Sequence, residues 1–236
     1  MSAETPRAPR PLAEYGLPDA VAAQLKGLRL APDAPLLAVD ADEVLLDFAA
    51  HLGRWMEGEG WRMSLTEYRL EGAIRRIEDG RAAERAEVGA LITRFFAAEA
   101  GRQEVAPGAA EALAALRREM GAQIIVLTNI PQAQAETRRR LLAANGIDYP
   151  LVANEGGKGR ALRWLWDRTR GAMAFVDDAD GQLGSARSHA PGVFRLHFVA
   201  GEALRRITGA AANAEAAAAS WPEARAILAA RFAARP

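Results

Sequence analysis

Two pairs of aspartates follow directly after two short apolar runs of the sequence. Asp40 and Asp42 come after Leu36–Val39, and Asp177 and Asp178 come after the run AMAFV. Carboxylates held close together repel one another unless a cation or a shared proton lies between them. Magnesium is the simplest cation for a site made only of oxygen ligands. The four aspartates therefore predict a magnesium site. The alternatives are a solvated turn for the first pair and a helix N-cap for the second.

Three further polar residues are candidates for the same site. Thr128 and Asn129 follow the apolar run QIIVL, and Lys158 is flanked by glycines in the sequence GGKG. Lys158 is one of only two lysines among 30 basic residues, so its use here is selective, and a lysine is a point charge suited to a phosphate oxygen. A P-loop is excluded because that motif requires a glycine five residues before the Gly-Lys pair, and this position is occupied by Val152. The alternatives are a capping role for Thr128 and Asn129 and a surface position for Lys158.

The elements that must position these residues are strands and helices in alternation. Five apolar strand patterns between Leu36 and Val199 are separated by helix patterns, which predicts right-handed crossovers and a parallel sheet with helices on both faces. The predicted fold class is therefore α/β, a Rossmann-like parallel sheet. Ligands bind at the carboxyl ends of such strands, where the polar residues above lie. The alanine-rich segment 210–220 is predicted as a helix or a flexible joint, and 221–232 as a closing helix.

A long segment without strand patterns interrupts this alternation. Residues 48–101 are predicted to form a small all-helical insert of three amphipathic helices, of which the middle one starts near residue 64 and ends near residue 80. Residues 35–47 and 102–236 then form the α/β core. Residues 1–34 are predicted to be an N-terminal tail followed by a short helix.

Composition limits the function classes. The 236-residue chain has 30 basic and 30 acidic residues, and this balance argues against broad nucleic-acid binding. It has no cysteine, which excludes thiolate metal sites and fits a reducing cytosol. It has no apolar run long enough to cross a bilayer and no secretory signal pattern. We therefore expect a cytoplasmic protein without nucleic-acid or membrane partners. The sequence does not indicate the oligomeric state.

The order of these motifs resembles the haloacid dehalogenase (HAD) superfamily. The motifs are LLAVDADEVLLDF, IIVLTN, GGKGRAL and AFVDDADGQLGSA, and PGAAEAL precedes the second of them. The resemblance extends from about Leu36 to Val199. Each motif alone is weak, but four in the right order are specific. The helical insert occupies the position of the superfamily's C1 cap. The resemblance implies a phosphatase-like hydrolase with a small phosphorylated substrate.

The resemblance also implies a role for each residue. Asp40 would be the nucleophile that forms an aspartyl-phosphate, and Asp42 would be the general acid and base. Magnesium would be held by Asp40, the Asp42 carbonyl group and Asp178, supported by Asp177. The residues expected to bind phosphate are Thr128, Asn129 and Lys158.

Several residues depart from the superfamily pattern or have other interpretations. Glu43 stands where glycine is frequent, Val44 replaces a common threonine, and Gln182 replaces an acid or asparagine. The first adds negative charge beside the site, and the last predicts a different outer metal shell. His197, inside a strand, is predicted to be structural. The arginines at positions 138–140 are predicted to form a solvated helix face.

Three other functions are compatible with the sequence. A haloacid dehalogenase would keep the nucleophile but would not need Asp42 or the second aspartate pair. A phosphomutase would retain all of these residues. A non-catalytic binding or scaffold protein of the same fold is the third alternative, which the intact motifs disfavour.

Overall fold

The computed structural model describes residues 10–65 and 72–234 of the chain. Its main sheet has six parallel strands, numbered here along the chain together with two short strands described below. The six are β1 (Leu36–Val39), β4 (Gln123–Thr128), β5 (Leu151–Ala153), β6 (Met173–Asp177), β7 (Phe194–Phe198) and β8 (Ala216–Ala218). Their spatial order is β5-β4-β1-β6-β7-β8. The predicted α/β fold with a parallel sheet is confirmed.

Strand β1 is central because its side chains are apolar on both faces. All four of its residues are fully buried, and it pairs with β4 on one side and β6 on the other. Successive side chains of a strand point to opposite faces of the sheet. Leu37 and Val39 accordingly pack in one core, and Leu36 and Ala38 pack in the other. A continuous apolar run is typical of a strand covered on both sides.

Helices cover both faces of the sheet. They are α1 (Asp19–Lys26), α4 (Ala109–Met120), α5 (Ala135–Ala144), α6 (Gly159–Trp166), α7 (Asp180–His189), α8 (Glu202–Ile207) and α9 (Trp221–Ala233). Helices α4 and α9 contribute Leu116 and Leu228 to one core, whereas α1 and α6 contribute Leu25 and Leu162 to the other. In residues 10–65 and 72–234, no helix is long and apolar enough to cross a membrane.

The described residues of the insert, 48–65 and 72–101, form two helices and a hairpin. Its elements are α2 (Phe48–Gly58), β2 (Trp61–Met63), β3 (Ile74–Arg76) and α3 (Arg85–Glu99). The outer two predicted helices are confirmed. The middle helix is wrong for residues 64, 65 and 72–80, which contain β3 and turns, while 66–71 lie outside the described residues.

Glycines explain why the middle of the insert is not helical. Gly72, inside the predicted helix, adopts a φ angle of 80°, which an α-helix does not permit, and Gly60 and Gly80 adopt φ angles of 82° and 72° at its borders. The two short strands pair antiparallel, with Met63 opposite Ile74. The fully buried Ile74 joins the apolar cluster between α2 and α3, so tertiary packing favours the hairpin over local helix propensity.

The insert packs against the carboxyl ends of two sheet strands. Leu52 of α2 and Phe95 of α3 share an apolar cluster with Ile130, which follows β4, and with Ala153, the last residue of β5. The insert is therefore anchored at the same edge of the sheet as the strand-end polar residues.

The alanine-rich segment forms the sixth strand. Ala216–Ala218 pairs in parallel with β7, so the prediction of a helix or flexible joint over 210–220 is wrong there. Alanine has little strand preference, and the unpaired edge of β7 supplies the hydrogen bonds that hold this segment extended. The closing helix is confirmed as α9, which Ser220 caps by accepting a hydrogen bond from the backbone N–H of Glu223.

Candidate active site

Asp40 is the first residue after β1 and lies at the centre of the site. Its backbone N–H donates to the Val176 carbonyl at 3.0 Å, which continues the ladder with β6. Its carboxylate Oδ1 accepts from the Ala41 N–H at 2.7 Å and lies 2.8 Å from Lys158 Nζ. Burial and the neighbouring carboxylates of Asp177 and Asp42 together raise the pKa of Asp40 to about 7, despite the opposing charge of Lys158.

Lys158 is a fully buried cation between two carboxylates. Its Nζ lies 2.8 Å from Asp40 Oδ1 and 2.7 Å from Asp177 Oδ2. Burial alone would lower the pKa of Lys158, but these two carboxylates outweigh that effect and raise the pKa. The surface position considered as an alternative is therefore wrong.

The glycines around Lys158 permit a close contact with α7. The N–H of Gly159 donates to Ser185 Oγ at 3.0 Å, and the N–H of Lys158 donates to Gln182 Oε1 at 2.9 Å. A Cβ atom on Gly159 would lie 2.1 Å from the Ser185 carbonyl oxygen. Only glycine fits there, and Gln182, a departure from the superfamily pattern, holds the lysine backbone.

The second aspartate pair divides into one carboxylate that contacts Lys158 and one that has no cationic partner among the described side chains. Asp177 Oδ2 lies 2.7 Å from Lys158 Nζ, and Asp177 Oδ1 accepts from the Ala179 N–H at 3.0 Å. Asp178 is 6% exposed, and no described side chain donates to its carboxylate. Burial raises the pKa of Asp178 well above its usual range, and the charges of Asp40 and Glu43 add to this.

This arrangement suits a cation. Carboxylate oxygens of Asp40, Asp177 and Asp178 lie within 4.8 Å of one another, and all three residues are buried. Lys158 offsets part of their charge, but Asp178 has no cationic partner of its own among the described side chains. Clustered buried oxygens with excess negative charge match the ligand preference of magnesium. The residues present therefore fit the predicted ion.

Thr128 ends β4, next to Asp40. Its side chain is buried, and the hydroxyl has no hydrogen-bond partner within the described part of the chain. A buried hydroxyl without a partner is unfavourable by about 1–3 kcal/mol, so such a group indicates a missing acceptor. Because β4 pairs with β1, Thr128 lies at the same end of the sheet as Asp40, where its hydroxyl could donate to an anionic oxygen.

Asn129 is exposed, and its side chain holds a neighbouring loop. Its Nδ2 donates to the Gly156 carbonyl at 2.8 Å, and its Oδ1 accepts from Asn154 Nδ2 at 2.9 Å. These bonds tie the end of β4 to the loop that precedes Lys158. Phosphate binding by Asn129 stays a prediction.

Asp42 lies in a network that the sequence interpretation missed. Its Oδ1 is 2.9 Å from Nη1 of Arg138, whose side chain is fully buried. The prediction of a solvated face is therefore wrong for Arg138, whereas Arg139 and Arg140 are exposed and pair with Glu136. Helical spacing offered a signal, because Arg138 lies four residues before the buried Leu142 and shares its face. No comparable signal existed for Gln103, which accepts a hydrogen bond from Arg138.

Glu43 has the left-handed backbone that explains why glycine is frequent at this position. Its φ is 57°, and the residue is 3% exposed. Its carboxylate accepts hydrogen bonds from the N–H groups of Ala49 in α2 and Gly201 before α8. Burial raises the pKa of Glu43 to about 7, although these two hydrogen bonds oppose the shift. Glu43 thus connects the start of the insert to the core.

Val44 and His197, the other two residues singled out in the sequence, stabilise the fold. Val44 is fully buried in the core. His197 lies in β7, and its Nε2 is 2.9 Å from the Asp178 carbonyl oxygen, a contact that helps to fix the loop after β6.

Comparison with known proteins adds information at the level of the fold. No family model and no curated protein sequence matches the chain. Solved structures do match. A HAD family hydrolase from Deinococcus radiodurans R1 with bound phosphate and sodium is 20% identical, with a TM-score of 0.53, over 86% of this chain and 97% of that one.

Two other solved structures resemble this chain to a similar degree. A predicted phosphoglycolate phosphatase from Haemophilus somnus 129PT is 14% identical, with a TM-score of 0.54, over 85% of this chain and 100% of that one. A putative β-phosphoglucomutase from Bacteroides vulgatus is 17% identical, with a TM-score of 0.51, over 94% of this chain and 100% of that one. The predicted resemblance is confirmed in three dimensions: this chain has the HAD-superfamily fold.

Proposed function

We propose that this protein is a magnesium-dependent HAD hydrolase that cleaves a small phosphate monoester through an aspartyl-phosphate intermediate. The observation that carries the proposal is the arrangement at the strand ends. The buried carboxylates of Asp40 and Asp178 lie beside the buried cation of Lys158, and the unpartnered hydroxyl of Thr128 belongs to the last residue of β4, the strand next to β1. Phosphatases and phosphomutases among the structural neighbours favour the same chemistry.

The proposed reaction has two steps. In the first, a carboxylate oxygen of Asp40 attacks phosphorus, the bond to the leaving oxygen breaks, and Asp42 gives that oxygen a proton. In the second, Asp42 takes a proton from a water molecule that attacks the aspartyl-phosphate. Inorganic phosphate leaves, and both aspartates return to their starting states.

The other residues bind and orient the phosphoryl group. The Thr128 hydroxyl and the Lys158 ammonium group donate to its oxygens, and Asn129 is proposed to contribute from the same strand end. The magnesium ligands would be Asp40, the Asp42 carbonyl group and Asp178. Both oxygens of Asp177 already have donors, which supports a role for it in holding Lys158. A bound magnesium ion would neutralise charge on the phosphoryl oxygens.

We also propose that residues 48–101 act as a C1-type cap that excludes water from the site. Its support is the packing of Leu52 and Phe95 against residues at the ends of β4 and β5. The crossings near Asp47 and Arg102 would be the hinges. A structure with a bound phosphate analogue tests this: contacts from α2 or α3 to the analogue would support a cap, and their absence would contradict it. The balanced charge and the lack of cysteine support a cytoplasmic enzyme without nucleic-acid partners.

Metal removal is the first test. Hydrolysis of an aryl phosphate is expected to require magnesium, to stop in a chelator and to return when magnesium is added in excess. Calcium is expected to inhibit because its longer bonds and larger coordination number misplace the nucleophile. The assay is release of the aryl alcohol. Full activity in the chelator would contradict the proposal, and cleavage of a haloacid under those conditions would favour the dehalogenase alternative.

The pH dependence of magnesium binding is a second test. The folded-state pKa of Asp40, about 7, lies above its unfolded value, so its contribution to stability is complete below the unfolded pKa and is lost as pH rises through 7. The metal-free protein should therefore lose stability as the pH rises from about 4 to about 7, and the loss should level off above that. Magnesium binds the ionised carboxylates, so it should raise Tm more at pH 8 than at pH 6. Equal shifts at both pH values, or none, would contradict the proposed site. Asp178→Asn, which removes one ligand, should reduce the shift.

The contact of Gly159 with α7 gives a third test. In Gly159→Ala the new Cβ would meet the Ser185 carbonyl oxygen, so the start of α6 must shift and carry Lys158 with it. A displacement of about 1 Å at a catalytic group lowers kcat by about 10²-fold, and we expect a loss of that order. Gly181→Ala in the first turn of α7 is the matched control, because nothing lies within 4 Å of its Cβ position. Equal activity of the two variants would contradict the positioning of Lys158 by this contact.

A further inference from the structure

Arg138 is a buried cation that contacts three separate parts of the chain. It lies in α5, and its side chain is fully buried. Its guanidinium group donates through Nη1 to Asp42 Oδ1 at 2.9 Å and through Nη2 to Gln103 Oε1. It also lies over the ring of Phe96, at 5.8 Å from the centroid. One side chain therefore joins three parts of the chain: the loop after β1 through Asp42, the segment after the insert through Gln103, and helix α3 through Phe96.

Gln103 completes this contact by bonding to the same aspartate. Its Nε2 donates to Asp42 Oδ1 at 3.4 Å while its Oε1 accepts from Arg138. Both donors thus reach Oδ1, and no hydrogen bond within the described residues reaches Oδ2. The side chain of Asp42 remains 20% exposed. One oxygen is held by the protein, and the other is left for a leaving oxygen or a water molecule.

Packing alone does not account for an arginine at this position. Arg138 shares the inner face of α5 with Leu142, where an apolar side chain of similar volume would pack without a desolvation penalty. Its Nε has no hydrogen-bond partner within the described part of the chain, so the burial is not fully compensated. An apolar residue could not provide the hydrogen bond to Asp42 Oδ1 or the hydrogen bond that holds Gln103 beside the same oxygen.

We propose that Arg138, together with Gln103, is a positioning residue that fixes the Asp42 carboxylate for proton transfer to the leaving oxygen. The inference rests on the proposed function, because it assigns Arg138 a purpose only if Asp42 acts as general acid and base. A misplaced Asp42 matters most when the leaving oxygen needs a proton. The decrease in kcat should therefore depend on the leaving group. A loss of folded protein would instead lower kcat equally for both substrates.

The test compares kcat on an alkyl phosphate with kcat on an aryl phosphate. Arg138→Met keeps the bulk and removes the charge and the donors. General acid-base help is worth about 10²–10⁴-fold, so loss of its positioning should lower the alkyl-to-aryl ratio by about 10- to 100-fold. Arg139→Met, one residue along on the exposed face, should leave the ratio unchanged. Arg138→Lys, which keeps a buried cation, should recover part of the ratio. An unchanged ratio in Arg138→Met would overturn the inference.

Two further measurements test the role of Arg138 even if Arg138→Met is destabilised or does not fold. In an Asp42→Asn background, adding Arg138→Met should not change the ratio further, and a second full decrease would overturn the inference. If Arg138→Met does not fold, Gln103→Met decides: a smaller decrease in the ratio supports the inference, and no decrease overturns it. A wild-type protein that cleaves neither ester would defeat the proposed function, whereas an active wild type with an unaffected ratio defeats only the role of Arg138.

Discussion

Replacing Asp40 with asparagine is expected to lower the turnover number by about 10⁴-fold or more. A neutral amide is a poor nucleophile and a weaker metal ligand than a carboxylate. The Thr128 hydroxyl and Lys158 would remain, so substrate binding should be retained. The measurement is steady-state turnover of an aryl phosphate in magnesium. Turnover within tenfold of the wild type would remove Asp40 from the mechanism.

Loss of fold is not expected to cause this effect. Burial opposes the ionised form of Asp40, as its raised pKa indicates, so the amide removes an unfavourable buried charge. In a chelator at pH 8, Asp40→Asn should melt no lower than the wild type. In magnesium it should gain less stability than the wild type does, because one ligand is lost.

Replacing Lys158 with methionine is expected to have the largest combined effect on stability and activity. Lys158 is the only described cation in direct contact with Asp40 and Asp177. Removing one partner of a buried ion pair is destabilising by about 3–5 kcal/mol because the remaining charge is uncompensated. The phosphoryl group would also lose a donor, so turnover should fall together with stability. Urea unfolding in a chelator measures the first effect.

The other lysine of the chain supplies a matched control. Lys26 is exposed at the end of α1, and Lys26→Met should change the free energy of unfolding by no more than about 0.5 kcal/mol. Magnesium should recover part of the stability lost in Lys158→Met, because it restores positive charge beside the carboxylates. A destabilisation of Lys158→Met that matched the Lys26 control would contradict the buried position of Lys158.

The strand-end residues of the site were predictable from sequence because ligands of parallel sheets bind at the carboxyl ends of the strands. The buried runs before Asp40, Thr128 and Asp178 indicate strands, and ligands bind where parallel strands end. The contact between Lys158 and Asp177 was not predictable in this way, because it depends on the approach of α6 to α7 at Gly159. The flanking glycines indicated only that something approaches closely.

Three features needed the tertiary structure. Arg138 carries a charge that suggests solvent, and only its spacing from Leu142 indicates the inner face. The hairpin of the insert forms because Ile74 reaches the apolar cluster between α2 and α3. Strand β8 consists of alanines, whose local preference is helical, and it exists because the edge of β7 offers hydrogen-bonding partners.

The proposed mechanism requires that Asp40 becomes phosphorylated and that Asp42 promotes both steps. Asp42→Asn is the sharpest test, because the backbone carbonyl group of residue 42 would still be available to the proposed metal ion and Asp40 would still be able to attack an ester with a good leaving group. Loss of acid-base help should slow hydrolysis of the intermediate by about 10²–10⁴-fold. The measurement is rapid mixing of this variant with an aryl phosphate, followed by acid quenching and mass spectrometry of the peptide that contains Asp40. We predict a burst of one aryl alcohol per protein and one phosphoryl group on Asp40. A variant with wild-type turnover of alkyl phosphates, or a phosphoryl group on another residue, would contradict the account.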